Sequence, residues 1–272
     1  MPSISVIHPP LTQLGMMQPM IWHDAFYKFV GLTDPPQEIS SLEALCKKAG
    51  VLGNVLVATE GINGMLAGSE TQLQMFRDAL HEDSRFHSMI YKRTTCSKMP
   101  FKRLKVRLKK EIVPLRLEGV DATSKTGINL SPAAWRELLK QDDLILIDNR
   151  NSFEYEIGHF KNAIDPGISA FRHFADYMEE HLPQWQDKPI AMYCTGGIRC
   201  EKTTAWLADK GLKVYQLEGG ILNYFAQIPD AEKDYEGSCF VFDDRRALDT
   251  KLGEVDIKPE AVSEKSRYRI SP

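Results

Sequence analysis

Cys194-Thr195-Gly196-Gly197-Ile198-Arg199-Cys200 brings a thiol, two adjacent glycines, a guanidinium and a second thiol into one short stretch. The apolar run at 189–193 has strand character, and Ala205, Leu207 and Ala208 downstream favour helix, so Cys194 stands at a strand-to-helix turn. Free N–H groups at a helix N-terminus carry partial positive charge and favour thiolate over thiol. Gly196 and Gly197, with Thr195 and Ile198 beside them, let successive amides converge into a nest for an anion, and Arg199 adds a permanent cation. The chemistry expected is that of an anionic sulfur nucleophile, with Cys194 as the catalytic group. Four residues separate Cys194 from Arg199, one fewer than a phosphate-cradling phosphatase loop needs, and Cys200 holds the place of the phosphatase arginine. Cys200 is a candidate second thiol, with a helix-side packing role left open. A purely packing role for Cys194 fits poorly with its flanking glycines and cation.

The elements that must position this loop alternate strand and helix. Ser131-Pro132 opens a helix with Pro in its first turn and Trp135, Leu138 and Leu139 facing inward. A short apolar strand is predicted over 144–147, a helix over 171–181, the central strand over 190–193, a helix over 200–210 and a strand over 213–217. This pattern predicts a doubly wound parallel sheet whose ligand site lies at the carboxyl ends of the strands, where Cys194, Asp148 and Glu218 stand.

The first half reads differently. A strand is predicted over 25–30, then a helix capped by Ser40 or Ser41 and running to 49, with Cys46 in its apolar stripe as a core thiol. A strand over 54–59 leads to a hairpin turn at Asn63-Gly64. Ser69 caps a second helix with Leu73, Phe76, Ala79 and Leu80 on its buried face, and strands follow over 89–91 and 104–108. The order predicts a small ferredoxin-like α+β sandwich. From Lys92 to Lys110 there are nine basic residues and no acid. Lys98, Lys102, Arg103, Lys105 and Arg107 are candidate RNA-backbone contacts, because basic and apolar residues alternate along 105–109. A solvated edge strand that uses lysine against aggregation is the alternative.

Composition narrows the class. A hydrophobic fraction of 43% with 26% charged residues suits a globular chain, and a net charge of -3 means that nucleic-acid affinity must come from local patches. Five cysteines without framework spacing argue against a disulfide-stapled secreted domain, and no metal-binding pattern of cysteines and histidines stands out. No run of about 18 apolar residues is present. A cytoplasmic protein without a membrane partner, without a metal and with no evident cofactor is expected.

Two further stretches complete a pattern. Asp148-Asn149-Arg150-Asn151-Ser152-Phe153-Glu154-Tyr155-Glu156-Ile157-Gly158-His159 and Leu217-Glu218-Gly219-Gly220, with the Cys194 loop, resemble the rhodanese domain. In the first half, Tyr27-Lys28-Phe29 and Ala58-Thr59-Glu60-Gly61-Ile62-Asn63-Gly64 extend the likeness, as does Gly237-Ser238-Cys239-Phe240-Val241-Phe242-Asp243 near the end. Together they resemble the tRNA uridine hydroxylases of the rhodanese superfamily. The resemblance implies oxygen-dependent formation of 5-hydroxyuridine at the wobble position of tRNA, with molecular oxygen as co-substrate and Cys194 as the catalytic cysteine. Longer members of that family carry more cysteines near the C-terminus; here none follows Cys239. Asp148, Arg150 and His159 are expected to brace the loop. Glu60 and Asn63 are candidates for reaching the anticodon loop, and Lys202, a cation in a first helical turn, is a candidate phosphate contact with surface solvation as its alternative.

The expected organisation is a leader over 1–20, a ferredoxin-like α+β domain over 21–112, a linker over 113–129, an α/β rhodanese domain over 130–230, and a C-terminal arm with a mobile tail over 231–272. A thiosulfate or persulfide sulfurtransferase working through a Cys194 persulfide is the competing enzyme reading. The sequence leaves the oligomeric state, the tRNAs read and the source of reducing equivalents open.

Overall fold

The computed structural model describes residues 20–185 and 187–257; the expected leader, except Met20, and the tail beyond 257 lie outside the described residues. The first domain contains β1 (Ile21–Phe29), α1 (Pro35–Ala49), β2 (Leu52–Ala58), β3 (Gly61–Gly68), α2 (Glu70–His81), β4 (Tyr91–Cys96) and β5 (Leu104–Leu108). Its sheet runs β4-β1-β3-β2-β5, with β5 added parallel to β2 at the edge of an otherwise antiparallel ferredoxin-like order. The fourth strand of the sandwich is therefore β4, and the 104–108 strand is an extra one.

Two local expectations are corrected. The first helix starts at Pro35, where Asp34 accepts the Gln37 N–H at 3.1 Å, so Ser40 and Ser41 lie inside it. Two prolines need no N–H partner in a first turn and bring the start forward. Asn63-Gly64 lies within β3, and the hairpin turns at Thr59-Glu60 instead. Gly64 serves packing, since a Cβ there would stand 2.4 Å from the Phe26 ring. Ser69 caps α2 in a capping box with Gln72, as its spacing indicated.

Helices α1 and α2 cover one face of this sheet over Phe26, Leu42, Cys46, Ile62, Leu66 and Phe76. Burial pushes the Cys46 thiol up to about 12, leaving it an inert packing group. The opposite face carries Tyr27, Phe29 and Ala58, which join a core shared with the second domain.

That domain contains β6 (Ile128–Leu130), α3 (Pro132–Leu138), β7 (Ile145–Asp148), α4 (Ser152–Ile157), β8 (Gly158–Phe160), α5 (Phe174–His181), β9 (Ile190–Tyr193), α6 (Ile198–Asp209), β10 (Val214–Leu217) and α7 (Gly220–Gln227). The parallel sheet runs β6-β10-β9-β7. Residues of α5 and α6 pack on one face and those of α3 and α7 on the other, which is the doubly wound arrangement. The stretch 113–129 is packed, with Val113, Leu115 and Ala122 in the shared core and residues 128–130 paired to β10.

The chain beyond α7 folds back over both domains. β11 (Tyr235–Gly237) pairs with β8, and β12 (Cys239–Phe240) pairs with β13 (Ala247–Leu248). Arg245 donates to Thr94 Oγ1 at 2.6 Å, His23 Nε2 lies 3.2 Å from Asp243, and Glu254 accepts from Ser97. No helix among the described residues is long and apolar enough to cross a membrane.

Candidate active site

β9 is buried throughout and delivers the chain at its carboxyl end to Cys194, which is 1% exposed. The Gly197 N–H donates to Cys194 Sγ at 3.1 Å, and Gly197 adopts φ +98°, a conformation that favours glycine. The glycine pair at the start of α7 holds the loop. Ile221 N–H donates to the Cys194 carbonyl at 3.0 Å and Leu222 N–H to that of Thr195 at 3.1 Å. Such proximity requires Gly220, where a Cβ would stand 2.4 Å from the Cys194 carbonyl oxygen.

Burial alone would raise the Cys194 thiol. The hydrogen bond from the Cys200 thiol, the Arg199 charge and the N–H groups of Cys200 and Arg199 outweigh it and bring the thiol down to about 6. At neutral pH the sulfur is an anion. It lies in the wall of a cavity of about 310 Å³ lined also by Tyr27, Phe171, Leu222, Phe242 and Lys92. Cys200 is the complementary partner: burial and the Cys194 charge push its thiol far up, so it stays protonated and donates. Asn149 Nδ2 donates to Thr203 Oγ1 at 2.9 Å and lies 3.9 Å from Cys200 Sγ.

The first domain closes the site. Tyr27 Oη donates to Glu201 of α6 at 2.6 Å, and the Lys92 ammonium lies 4.6 Å from the centre of the Tyr27 ring. Burial raises the Glu201 carboxyl, opposed by the Tyr27 hydrogen bond and by Lys92 and Lys28.

The halves of the chain match two families, a "UPF0176 acylphosphatase like domain" over residues 23–112 and a "Rhodanese-like domain" over 131–227. A protein of Legionella pneumophila (strain Paris) named tRNA uridine(34) hydroxylase is 47% identical over 232 residues, 85% of this chain and 91% of that protein. The chain belongs to the tRNA uridine(34) hydroxylase family. A relative of the same name from a Picosynechococcus species is 44% identical over 221 residues, 81% of this chain and 74% of its own. Among solved structures, a rhodanese-like domain protein from Staphylococcus aureus is 21% identical with a TM-score of 0.29, covering 36% of this chain and 90% of that one.

Within this member of the tRNA uridine(34) hydroxylase family, several residues singled out from sequence have other roles. Arg199, expected to cradle an anion directly, is bound in bidentate fashion by Glu154 at 2.9 and 3.1 Å. It acts on Cys194 through space. Lys202, expected as a phosphate contact, is 2% exposed. Its ammonium is held by Glu60 at 2.8 and 3.0 Å, Glu111 at 2.5 Å and the Val113 carbonyl at 3.1 Å, so it ties α6 to the first domain. Glu60 and Asn63, expected to reach RNA, bind the Ile112 N–H and carbonyl respectively, at 2.7 and 3.1 Å.

Asp148 and Arg150 form a fully buried bidentate pair at 2.8 and 2.6 Å, and Arg150 also donates to the Gly158 carbonyl at 2.6 Å. They fix the end of β7 next to the loop. His159 stacks on Tyr155 at 3.8 Å and faces Glu236, contacts that do not include the Cys194 loop. Ile198 lines the cavity, as do Thr195 and Gly196. Lys98, Lys102, Arg103 and Arg107 are exposed and Lys105 half-buried, and none of them lines the cavity. Burial pushes the Cys239 thiol up to about 12 and the Cys96 thiol to about 11, opposed at Cys96 by Arg245, so neither supplies a thiolate at neutral pH.

Sequence reasoning missed Glu154, Glu201 and Lys92 as parts of the site. Glu154 lies in the 148–159 stretch without a role of its own in that pattern, and Lys92 was hidden at the head of a basic run. Only the fold separates it from its neighbours.

Proposed function

We propose that this protein hydroxylates uridine 34 of tRNA at C5, with Cys194 as the nucleophile and molecular oxygen as co-substrate. The observation that carries the reading is the ionised Cys194 sulfur opening on a largely apolar cavity of about 310 Å³, closed by Tyr27 and Lys92 from the other domain. A base must leave its stack to reach such a place, as enzymes acting on nucleobases require.

The thiolate adds to C6 of uracil, and the C5–C6 π pair moves to C5 and the C4 carbonyl as an enolate. C5 passes that pair to dioxygen and, with one proton, becomes a hydroperoxide. The Cys200 thiol takes the outer oxygen as a sulfenic acid, leaving a hydroxyl on C5. C5 then loses its proton, the Cys194 thiolate leaves C6, and the ring double bond of 5-hydroxyuridine is restored. Condensation of the Cys200 sulfenic acid with Cys194 releases water and forms a disulfide, which an external dithiol reduces. The sum is uridine, dioxygen and a dithiol giving 5-hydroxyuridine, water and a disulfide. Lys105 and Arg107 on the edge strand β5, with Lys98, Lys102 and Arg103 in the connection before it, supply RNA-backbone contacts in this reading.

The test is mass spectrometry of nucleosides from tRNA treated with protein, a dithiol and ¹⁸O₂. One labelled oxygen in 5-hydroxyuridine, lost in Cys194→Ala, is the expected result; no product from wild type overturns the proposal. The Gly197 N–H on the sulfur also suits a persulfide. Thiocyanate formed from thiosulfate and cyanide, without tRNA hydroxylation, would favour the sulfurtransferase reading.

A further inference from the structure

Lys92 differs from the bases that follow it. Strand alternation turns Arg93 toward Asp24 and Glu70 on the helix-covered side, while Lys92 crosses to the Cys194 loop. Its Cδ and Cε lie 3.7 and 3.8 Å from the point where a Cβ on Gly196 would stand. The ammonium rests over the Tyr27 ring at 4.6 Å, and that ring is pinned by the Tyr27–Glu201 hydrogen bond. Among the described residues no carboxylate lies within ion-pair distance of it and no side chain or carbonyl accepts from it, while Glu201 and Cys194 act on it through space. Lys92 is half-buried, and an ammonium that faces a cleft with its N–H groups uncommitted is placed to donate to a ligand there. Lys92 also lines a second, larger cleft of about 560 Å³ beside the cavity of Cys194, so it stands where a nucleotide would pass from one to the other.

We propose that Lys92 is a catalytic residue of the hydroxylation, its ammonium donating to the C4 carbonyl oxygen of the bound uracil where charge collects as Cys194 adds to C6. This inference rests on the proposed addition of Cys194 to uracil. A C6 adduct is stabilised only if the pair displaced from the ring is received at the far end of the conjugated system, which is the C4 oxygen. A fixed donor in a water-poor pocket is the strongest aid to such a step. When C5 hands the pair to dioxygen, the carbonyl re-forms and the proton remains with Lys92, so the residue ends each turnover as it began.

Lys92 is faced by Tyr27 from β1, Glu201 from α6 and Cys194 from the loop, with Lys28 and Arg93 beside it in the adjoining cleft. Burial lowers it to about 8, with the Glu201 and Cys194 charges opposing. The cation is therefore present below about pH 8, and the Cys194 thiolate above about pH 6. Both are needed, so kcat/KM should be bell-shaped between these limits.

The experiment compares Lys92→Met and Lys92→Arg with wild type in full-length protein, using tRNA hydroxylation across pH. Lys92→Met should lower kcat about 100-fold or more, with KM for tRNA within about threefold of wild type. Lys92→Arg should restore part of the rate and move the alkaline limb up by about one pH unit or more, since guanidinium stays charged. If Lys92→Met melts below the assay temperature, the Lys92→Arg profile decides. An active Lys92→Met with kcat within about threefold of wild type, or an alkaline limb unmoved in Lys92→Arg, overturns the inference alone. A wild type that makes no 5-hydroxyuridine overturns the reading of the site and this inference with it.

Discussion

Replacing Lys202 by Met separates a buried clamp from an RNA contact. The Lys202 ammonium makes four contacts, with both oxygens of Glu60, one oxygen of Glu111 and the Val113 carbonyl. Met fills similar space and leaves two carboxylates facing each other without their cation. Breaking a buried ion pair by removing one partner costs about 3–5 kcal/mol. Glu60 and Glu111 remain 21% and 20% exposed, so water screens part of the loss and the lower end, about 3 kcal/mol, is expected. For a domain pair of this size that corresponds to a melting temperature lower by about 6–12 °C. Differential scanning calorimetry reads this directly, and tRNA binding across a salt series reads the alternative. Clamp loss leaves the slope of log K against log salt unchanged, whereas loss of a phosphate contact reduces it by about 0.7–0.9. The triple change Lys202→Met, Glu60→Gln, Glu111→Gln should recover most of the lost stability, because it removes the uncompensated charge. A melting temperature within about 2 °C of wild type, together with a reduced salt slope, would refute the clamp.

Alkylation of Cys194 by iodoacetamide should show a midpoint near pH 6, and Cys200→Ala should move it upward by removing a donor to the thiolate; a wild-type midpoint at the ordinary thiol value of about 8.5 would mean that the sulfur is not held ionised at neutral pH. Because the folded thiol titrates below the unfolded one, its contribution to stability is full above the unfolded value and declines as pH falls through about 6, so the difference in stability between wild type and Cys194→Ala should shift against wild type on acidification. Gly220→Ala should destabilise the protein by at least about 1–3 kcal/mol and abolish turnover, since φ is +68° and the added methyl meets the backbone of the loop. Gly211→Ala is the control: φ is +80° but nothing lies within 4 Å, so only the backbone cost, about 1 kcal/mol, should appear in denaturant unfolding and activity should persist.

The Cys194 loop was legible because its determinants are neighbours in sequence. The sulfur is held by Gly197, Arg199 and Cys200, all within the same stretch, and paired glycines between an apolar strand and a helix point strongly to a turn of converging amides. The alternating strands and helices of the second half were legible for the same local reason. Lys202 was misread because a cation in a first turn looks unfavourable until its partners are known, and Glu60 stands 142 positions away. Tyr27 and Glu201 are separated by 174 positions, and Lys92 meets Cys194 only because the bare face of one sheet covers the loop of the other domain. The Asn63-Gly64 pair shows the converse: a strong local turn signal yielded to packing beneath Phe26.

The segment from Tyr235 to Glu254 follows both domains in the chain, yet it ties β8 of the second domain to Thr94 and Ser97 of the first. Val241 and Phe242, which form part of the wall around Cys194, arrive with it. The two domains share a core without the arm, but the chamber around Cys194 has this wall only when the arm is in place. Enclosure of the reactive sulfur therefore depends on the last described stretch of the chain, which makes the arm a fastener across the two domains.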